Sequence, residues 1–242
     1  MKLKTAMTYR FIYQLKSLGI FYLYFVLFTL IFPAMAIFVA GGTLSSQSDL
    51  MFPAIIFAFI VALIGIQTDF KFFIQNGMNR LHILLTNILT NFVISNIIAL
   101  TMLLFYQVFK SIALANFHYM FLLIDQYNPK QPLLYYGFLL AFIFFATTLG
   151  ALCGLFFDRF STVVRLIIGA GVILLPFLFG TIFTSLSHAA RQEVATAFGH
   201  LIGISDKGLN AIPLLMTILV LTVINIIIIY LMNHRRELRR IS

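Results

Sequence analysis

The chain has 242 residues, of which 62% are hydrophobic and only 10% are charged, and its formal net charge is +9. A soluble domain carries about 25% charged residues, so this composition excludes an ordinary soluble domain. The apolar residues lie in runs of roughly 20, which is long enough for a helix to cross a hydrocarbon core of about 30 Å. Lipid allows only helices or closed barrels, and these runs are continuous rather than alternating, so they predict an all-α integral membrane protein.

The first predicted element is an amphipathic helix over residues 1–18 that lies in the membrane interface. Its apolar residues recur every three or four positions and would share one face: Leu3, Met7, Phe11, Leu15 and Leu18. The polar and basic residues would point largely elsewhere: Lys2, Arg10, Gln14 and Lys16. A basic amphipathic helix of this kind binds anionic headgroups. The alternative interpretation is an ordinary polar leader.

Six membrane spans follow, joined by short connections. We predict them over residues 19–40, 51–68, 83–108, 133–157, 163–186 and 211–232. The connection over residues 187–210 is expected to hold one short helix. With a basic cytoplasmic tail over residues 233–242, the six-helix bundle over 19–232 makes one transmembrane domain that covers residues 1–242.

The distribution of positive charge predicts the orientation of the spans. A net charge of +9 on a soluble chain would suggest a nucleic-acid partner, but here the Lys and Arg residues flank the apolar runs. Most of the 16 Lys and Arg residues lie at the termini and on the even-numbered connections. The other three loops carry only Lys110, Lys130, Arg191 and Lys207. We therefore expect both termini to be cytoplasmic, and we expect membrane lipids but no nucleic acid as partners.

The acidic residues argue against an ion-driven carrier, because such carriers usually keep ionisable groups inside the membrane. No predicted span has a carboxylate at its centre, and all seven acidic residues fall at span ends or in loops: Asp49, Asp69, Asp125, Asp158, Glu193, Asp206 and Glu237. The chain has no GxxxxGK(S/T) phosphate loop and no HExxH, GxSxG or CxxC motif. Its five His residues show no ligand spacing. We predict no catalytic site, no metal site and no cofactor bound by this chain.

Polar and small residues inside the spans allow two interpretations. The third span carries a polar stripe in which most members share one helix face: Asn87, Asn91, Ser95 and Asn96. This stripe either forms hydrogen bonds between helices of the bundle or faces a substrate or a second subunit. In the fourth span, Gly150 and Gly154 form a GxxxG match, which predicts close helix packing.

Two short stretches at the predicted cytoplasmic connections resemble those of a known family. The first is Phe-Phe-Ile-Gln-Asn-Gly-Met-Asn-Arg, which begins at Phe72, ends at Arg80 and leads into the third span. The second is Asp158-Arg159-Phe160-Ser161, where many relatives have Gly in place of Ser161. Together with the six-span architecture, which extends over nearly the whole chain, these stretches resemble the permease subunits of ABC-2-type transporters.

The resemblance implies a division of labour between subunits. Two permease subunits, identical or different, pair in the membrane, and two separate cytoplasmic subunits bind ATP and Mg and hydrolyse ATP. The permease itself is no enzyme and lies in the cell membrane, here the bacterial cytoplasmic membrane. It exports a substrate, for example an amphipathic peptide, a lipid or a drug.

The resemblance also assigns coupling to the ATPase to the connection between the second and third spans. Aromatic and Met side chains would anchor in a groove of the partner, and polar residues would form the edges. The implied coupling residues are Phe70, Lys71, Phe72, Phe73, Gln75, Asn76, Gly77, Met78, Asn79 and Arg80, with Asp158, Arg159 and Phe160 as a second contact. The alternatives are an interfacial loop with aromatic side chains among the headgroups, and a plain helix–helix turn at residues 158–161.

Two broader alternatives also stay open. The apolar part of the third–fourth loop either lines a substrate exit or forms an interfacial helix: Phe117, Tyr119, Met120, Phe121 and Leu122. The chain as a whole is either a permease or a non-transport membrane protein, such as an immunity protein, a sensor or an assembly factor.

Overall fold

The computed structural model describes residues 2–40, 46–111, 117–127, 131–205 and 208–234. The helices in these ranges are α1 (Lys2–Ala40), α2 (Met51–Gln75), α3 (Arg80–Ser111), α4 (Leu122–Tyr127), α5 (Pro132–Arg159), α6 (Thr162–Ser185), α7 (His188–Ile202) and α8 (Ala211–His234). The strands are β1 (Ser46–Asp49), β2 (Phe117–Met120), β3 (Ile204–Ser205) and β4 (Gly208–Leu209). The predicted tail lies outside the described residues, apart from Asn233 and His234.

Six of these helices, α1, α2, α3, α5, α6 and α8, are long and apolar enough to cross a membrane. The prediction of an all-α, multi-pass membrane protein with six spanning helices is therefore confirmed. α7 confirms the short helix expected between the last two spans. Which side of the membrane each end of the bundle faces stays a prediction.

α1 corrects the prediction for the start of the chain. It runs without a break from Lys2 to Ala40, which is about 58 Å at 1.5 Å per residue. The predicted division into an interfacial helix over 1–18 and a span over 19–40 is therefore wrong. The packed face also differs, because Leu15 is 43% exposed whereas Arg10 and Gln14 are only 1% and 3% exposed. These polar side chains are buried because α2 and α3 supply hydrogen-bond partners for them.

The stretch over residues 69–82 is also more helical than predicted. α2 continues to Gln75 and α3 already begins at Arg80, so residues 76–79 alone connect them. The connection predicted between the spans, over residues 69–82, is therefore shorter in the structure. Polar side chains at the end of a span mark where lipid gives way to water, and the backbone can stay helical beyond that point.

α5 is the central helix and packs against α2, α3 and α8. A Cβ atom at Gly154 would lie 2.5 Å from Leu63 O of α2, and one at Gly150 would overlap Phe59 O. Only glycine permits so close an approach of the two backbones, so the packing predicted for this GxxxG match is confirmed. Gln67 of α2 adds a hydrogen bond, because its Nε2 donates to Gly154 O at 3.0 Å.

Two segments that precede α2 and follow α3 form a parallel strand pair, β1 with β2, which the sequence did not predict. Tyr119 of β2 is buried, and its hydroxyl donates to Thr29 O at 2.8 Å. Burial raises the pKa of this hydroxyl. Phe121 lies in the main apolar core. The predictions that these two side chains line a substrate exit or form an interfacial helix are therefore wrong.

α6 differs from the other spans because none of its residues is buried. Its apolar side chains face away from the rest of the chain, and Ile173 and Phe177 are 68% and 69% exposed. This helix therefore presents most of its surface to lipid or to another protein chain.

Candidate functional site

The connection between α2 and α3 is a short hydrogen-bonded turn. Asn76 Nδ2 donates to Phe72 O at 2.8 Å and so closes the end of α2. Gly77 has a φ of 70°, in the left-handed region that favours glycine. Asn79 then caps the start of α3, because its Oδ1 accepts from Leu81 N at 3.0 Å. The helical hairpin therefore ends in a defined structure rather than a loose loop.

Three of the predicted coupling residues are buried beneath α1. Phe70, Phe73 and Met78 form an apolar cluster with Ala6 of α1 and Ile83 of α3. Side chains packed in this way cannot also fill a groove of a partner, so the prediction that they anchor in the ATPase is wrong. The sequence predicted exposed side chains here because it did not show that the start of α1 packs against the hairpin.

The other predicted coupling residues surround the turn and form what we call the exposed rim: Lys71, Phe72, Gln75, Asn76, Gly77, Asn79 and Arg80. Phe72 is 45% exposed, and its ring stacks on Tyr9 of α1 at a centroid distance of 5.2 Å. A partner that docks here would therefore meet one aromatic side chain among polar groups.

An apolar cleft of about 350 Å³ opens between the start of α1 and the turn. Its lining comes from both helices and the turn: Thr5, Ala6, Tyr9, Phe72, Phe73, Asn76 and Met78. The cleft lies directly beside the exposed rim, because Phe72 and Asn76 belong to both. A partner that contacts the exposed rim would therefore also meet the apolar side chains of this cleft.

A buried polar cluster, made of Arg10, Gln14, Asp69 and Asn91, joins α1, α2 and α3 next to the turn. Arg10 Nη1 forms an ion pair with Asp69 Oδ2. Arg10 Nη2 donates to Asn91 Oδ1 at 3.1 Å, and Gln14 Nε2 donates to the same oxygen at 2.9 Å. Gly65 leaves room for the guanidinium, since a Cβ there would lie 3.0 Å from Arg10 Nη2. The three helices are thus linked through charged and polar side chains.

Not every polar atom of this region has a protein partner. Among the described residues, Arg10 Nε, Gln14 Oε1 and Asn87 Oδ1 are buried without a hydrogen bond. Each unpaired buried polar group costs about 1–3 kcal/mol. The polar cluster therefore stabilises the folded chain less than its bonds alone would.

The polar stripe predicted on α3 is largely covered by the chain's own helices. Asn87, Asn91 and Ser95 are buried, and Ser95 Oγ donates to Asn91 O at 2.7 Å. Asn96 lies apart from them, and its Oδ1 accepts from the hydroxyl of Tyr136 on α5 at 2.6 Å. The bonds of Asn91 and Asn96 to other helices agree with the packing interpretation, whereas Ser95 bonds within α3. The alternative, an open substrate- or dimer-facing surface, is wrong for the three buried residues.

The predicted second contact lies at the turn between α5 and α6. Arg159 is exposed there, whereas Asp158 and Phe160 are partly buried. Arg165 of α6 holds the turn, because its Nε donates to Phe160 O at 2.9 Å. The C-terminal halves of α2 and α5 pack in one apolar cluster, so this turn lies at the same end of the bundle as the α2–α3 turn. The two predicted contacts therefore share one end.

The sequence pattern did not reveal Arg10 and Gln14 as members of a site. A signal was nevertheless present, because Ala6, Arg10, Gln14 and Leu18 are spaced four residues apart and so form one row along α1. Two polar residues in a row that begins and ends with apolar ones indicate polar partners on a neighbouring helix. Asp69, on α2, carries the charge that is opposite to that of Arg10.

Among the described residues, no group of three His, Cys, Asp or Glu side chains lies together in a way that could hold a metal ion. No protein-family model, no curated protein and no solved structure matches this chain. The α2–α3 turn, with its exposed rim and its polar cluster, is therefore the feature from which a function has to be inferred.

Proposed function

We propose that this chain is the membrane-spanning permease subunit of an ATP-driven exporter of the ABC-2 type, in the bacterial cytoplasmic membrane. A separate cytoplasmic subunit binds ATP and Mg and hydrolyses ATP. The observation that carries the proposal is the α2–α3 turn, which projects a polar rim at one end of the bundle and is tied to α1 by the polar cluster. Six spanning helices and a sequence without a phosphate loop agree with it.

The polar cluster transmits a movement of the α2–α3 turn to α1. Asp69 lies about 9 Å from the end of α2, at 1.5 Å per residue, and so sits close to the turn. A movement of the turn relative to α1 has to separate Arg10 from Asp69, and breaking a buried ion pair costs about 3–5 kcal/mol. α1 therefore moves together with the α2–α3 hairpin.

The exposed rim is the docking face for the ATPase subunit. Phe72 supplies the aromatic contact that is typical of interface cores, and Lys71 and Gln75 supply polar contacts around it. Arg159 at the neighbouring α5–α6 turn offers a second contact at the same end. The positive charge of the connections favours the cytoplasm for this end of the bundle.

A second permease subunit fits the outward-facing surface of α6. This helix is mostly apolar, and none of its residues is buried in its own chain. A copy that covers it would bury apolar surface and complete a pathway between two subunits. An amphipathic peptide, lipid or drug is the class of substrate that such a pathway suits.

The proposal is tested by purifying the chain from its native membrane in mild detergent and identifying the retained proteins by mass spectrometry. We expect an ATP-binding subunit with a phosphate loop. Replacing the aromatic contact by Phe72→Ala is expected to lower its recovery at least about fivefold, since truncation of an interface anchor costs more than about 1 kcal/mol. The matched control is Leu133→Ala, an exposed apolar residue at the other end of the bundle.

Two results would contradict the proposal in different ways. If no protein with a phosphate loop is retained by the wild type, the chain is a non-transport membrane protein. If Phe72→Ala retains the ATPase as well as Leu133→Ala does, the ATPase docks elsewhere.

A further inference from the structure

A second cleft, of about 410 Å³, lies where α3 begins and α8 ends. Both helices span the membrane, so the ends that meet here lie where the bilayer gives way to water. The lining combines polar, basic and apolar side chains: Asn79, Arg80, Leu81, Leu84, Tyr230, Asn233 and His234. This combination of side chains is complementary to a ligand with a charged end and an apolar end.

Two hydrogen bonds hold the walls of the cleft together and fix the position of its arginine. Arg80 Nη1 donates to His234 O at 2.9 Å, and Asn233 Nδ2 donates to Arg80 O at 3.2 Å. The first bond uses one of the five N–H donors of the guanidinium. Among the described residues no other partner of the guanidinium is found, so the planar group is anchored while its other donors can meet a ligand. A guanidinium matches the geometry of a phosphate better than an ammonium does.

The part of the cleft that lies further into the span is apolar. Leu84 is buried in the wall, while Leu81 and Tyr230 are about half exposed. Tyr is enriched at the level of the headgroups because its ring is apolar and its hydroxyl is polar. These side chains would cover the first methylene groups of an acyl chain.

The surroundings of the cleft are positively charged. Arg80 belongs to its lining, and none of the described lining residues is acidic. The sequence that directly follows α8 adds four arginines and a single acid: Arg235, Arg236, Glu237, Arg239 and Arg240. Clusters of basic residues next to a span attract anionic phospholipids.

We propose that this cleft binds the phosphodiester headgroup of an anionic phospholipid. Arg80 binds the phosphate, and Leu81 and Tyr230 pack along the upper part of an acyl chain. A free phosphate shares the anionic chemistry, but only a lipid supplies the apolar body that this wall covers. The inference needs no ATPase and no substrate, and it assigns Arg80 and Asn79, at the α8 side of the exposed rim, to the lipid rather than to the ATPase.

The experiment is native mass spectrometry of the full-length chain in detergent, titrated with phosphatidylglycerol or with phosphatidylcholine. A basic residue near anionic headgroups contributes about fivefold in affinity. We expect the wild type to prefer phosphatidylglycerol by more than this factor and Arg80→Gln to lower the preference about fivefold. Arg165→Gln is the matched control, because Arg165 also bonds a backbone carbonyl at the end of a span and lies outside this cleft.

Residues 235–242 stay present in every variant, so the general attraction of the basic segment is constant. Arg80→Lys keeps the charge and is expected to retain most of the preference, and far-UV circular dichroism shows whether each variant is folded. Equal losses in Arg80→Gln and Arg165→Gln, or equal binding of both lipids by the wild type, would show a general surface effect and overturn the proposal. Displacement of the lipid by millimolar inorganic phosphate would identify a free-anion site and would also overturn it.

Discussion

Replacing Asp69 by Leu is expected to lower the free energy of unfolding by about 3 kcal/mol. Arg10 is 1% exposed, and its guanidinium bonds to Asp69 and to Asn91. The substitution leaves the buried cation with the amide of Asn91 alone. Breaking a buried pair costs about 3–5 kcal/mol, and the lower end applies because Asp69 is 13% exposed near the end of α2, where water can approach.

A variant that lacks both charges tests whether the loss of stability comes from the interaction between Arg10 and Asp69. In the double variant Arg10→Met/Asp69→Leu no buried cation remains, and Asn91 still accepts from Gln14. Replacing a whole buried pair by apolar side chains is often neutral, so we expect a free energy of unfolding within about 1 kcal/mol of the wild type. The coupling energy of the double-mutant cycle is then about 2 kcal/mol or more.

The measurement is unfolding in detergent micelles by titration with sodium dodecyl sulfate, followed by far-UV circular dichroism. Glu193→Leu, at an exposed position on α7, is the control and is expected to change the free energy by no more than about 0.5 kcal/mol. Strictly additive effects of Arg10→Met and Asp69→Leu would refute the reasoning. The two side chains would then not be coupled, and α1 would not be held to the α2–α3 hairpin through them.

Three further predictions use the same titration. Gly154→Ala is expected to lose about 1–3 kcal/mol, because its new methyl would lie 2.5 Å from Leu63 O, whereas Gly137→Ala on the same helix has open space and should lose nothing. Equal effects at both positions would contradict the close approach of α2 and α5. Gly77→Ala is expected to cost about 1–2 kcal/mol because of its φ of 70°; an unchanged midpoint would show that the turn relaxes. Lys71→Glu should leave the free energy of unfolding within about 0.5 kcal/mol but lower recovery of the ATPase, and a loss of stability instead would assign Lys71 to the fold.

The spanning helices could be predicted because length and hydropathy are local properties of the sequence. Their ends could not, because composition reports where lipid ends rather than where a helix ends. Asp69 and Lys71 mark the predicted boundary of a span, yet α2 continues through both to Gln75. In the same way, Lys2 and Arg10 suggested a separate interfacial helix, while the backbone of α1 stays helical through them and into the membrane.

The candidate site could be located from the sequence, but its interior could not. Arg10 is buried because it bonds to Asp69 and Asn91, which lie 59 and 81 residues further along the chain. A periodicity analysis cannot detect such distant partners and therefore predicts that an arginine faces outward. Phe70 and Phe73 show the opposite error. Aromatic side chains at a turn suit either a partner or a core, and the position of α1, which decides between them, is a tertiary property.

The burial of Arg10 also constrains the order in which the chain assembles during its synthesis. α1 is made before residues 69 and 91, so Arg10 has neither of its acceptors when α1 first meets the membrane. An unpaired arginine inside the bilayer is costly, by about 2.5–3.5 kcal/mol at the centre and by less near the end of a span such as here, and a long basic side chain avoids this cost by reaching to the surface. We therefore expect the first turns of α1 to stay at the headgroups until α2 and α3 have entered the membrane. Of these three helices, α1 precedes its two partners in the sequence and is expected to dock after them.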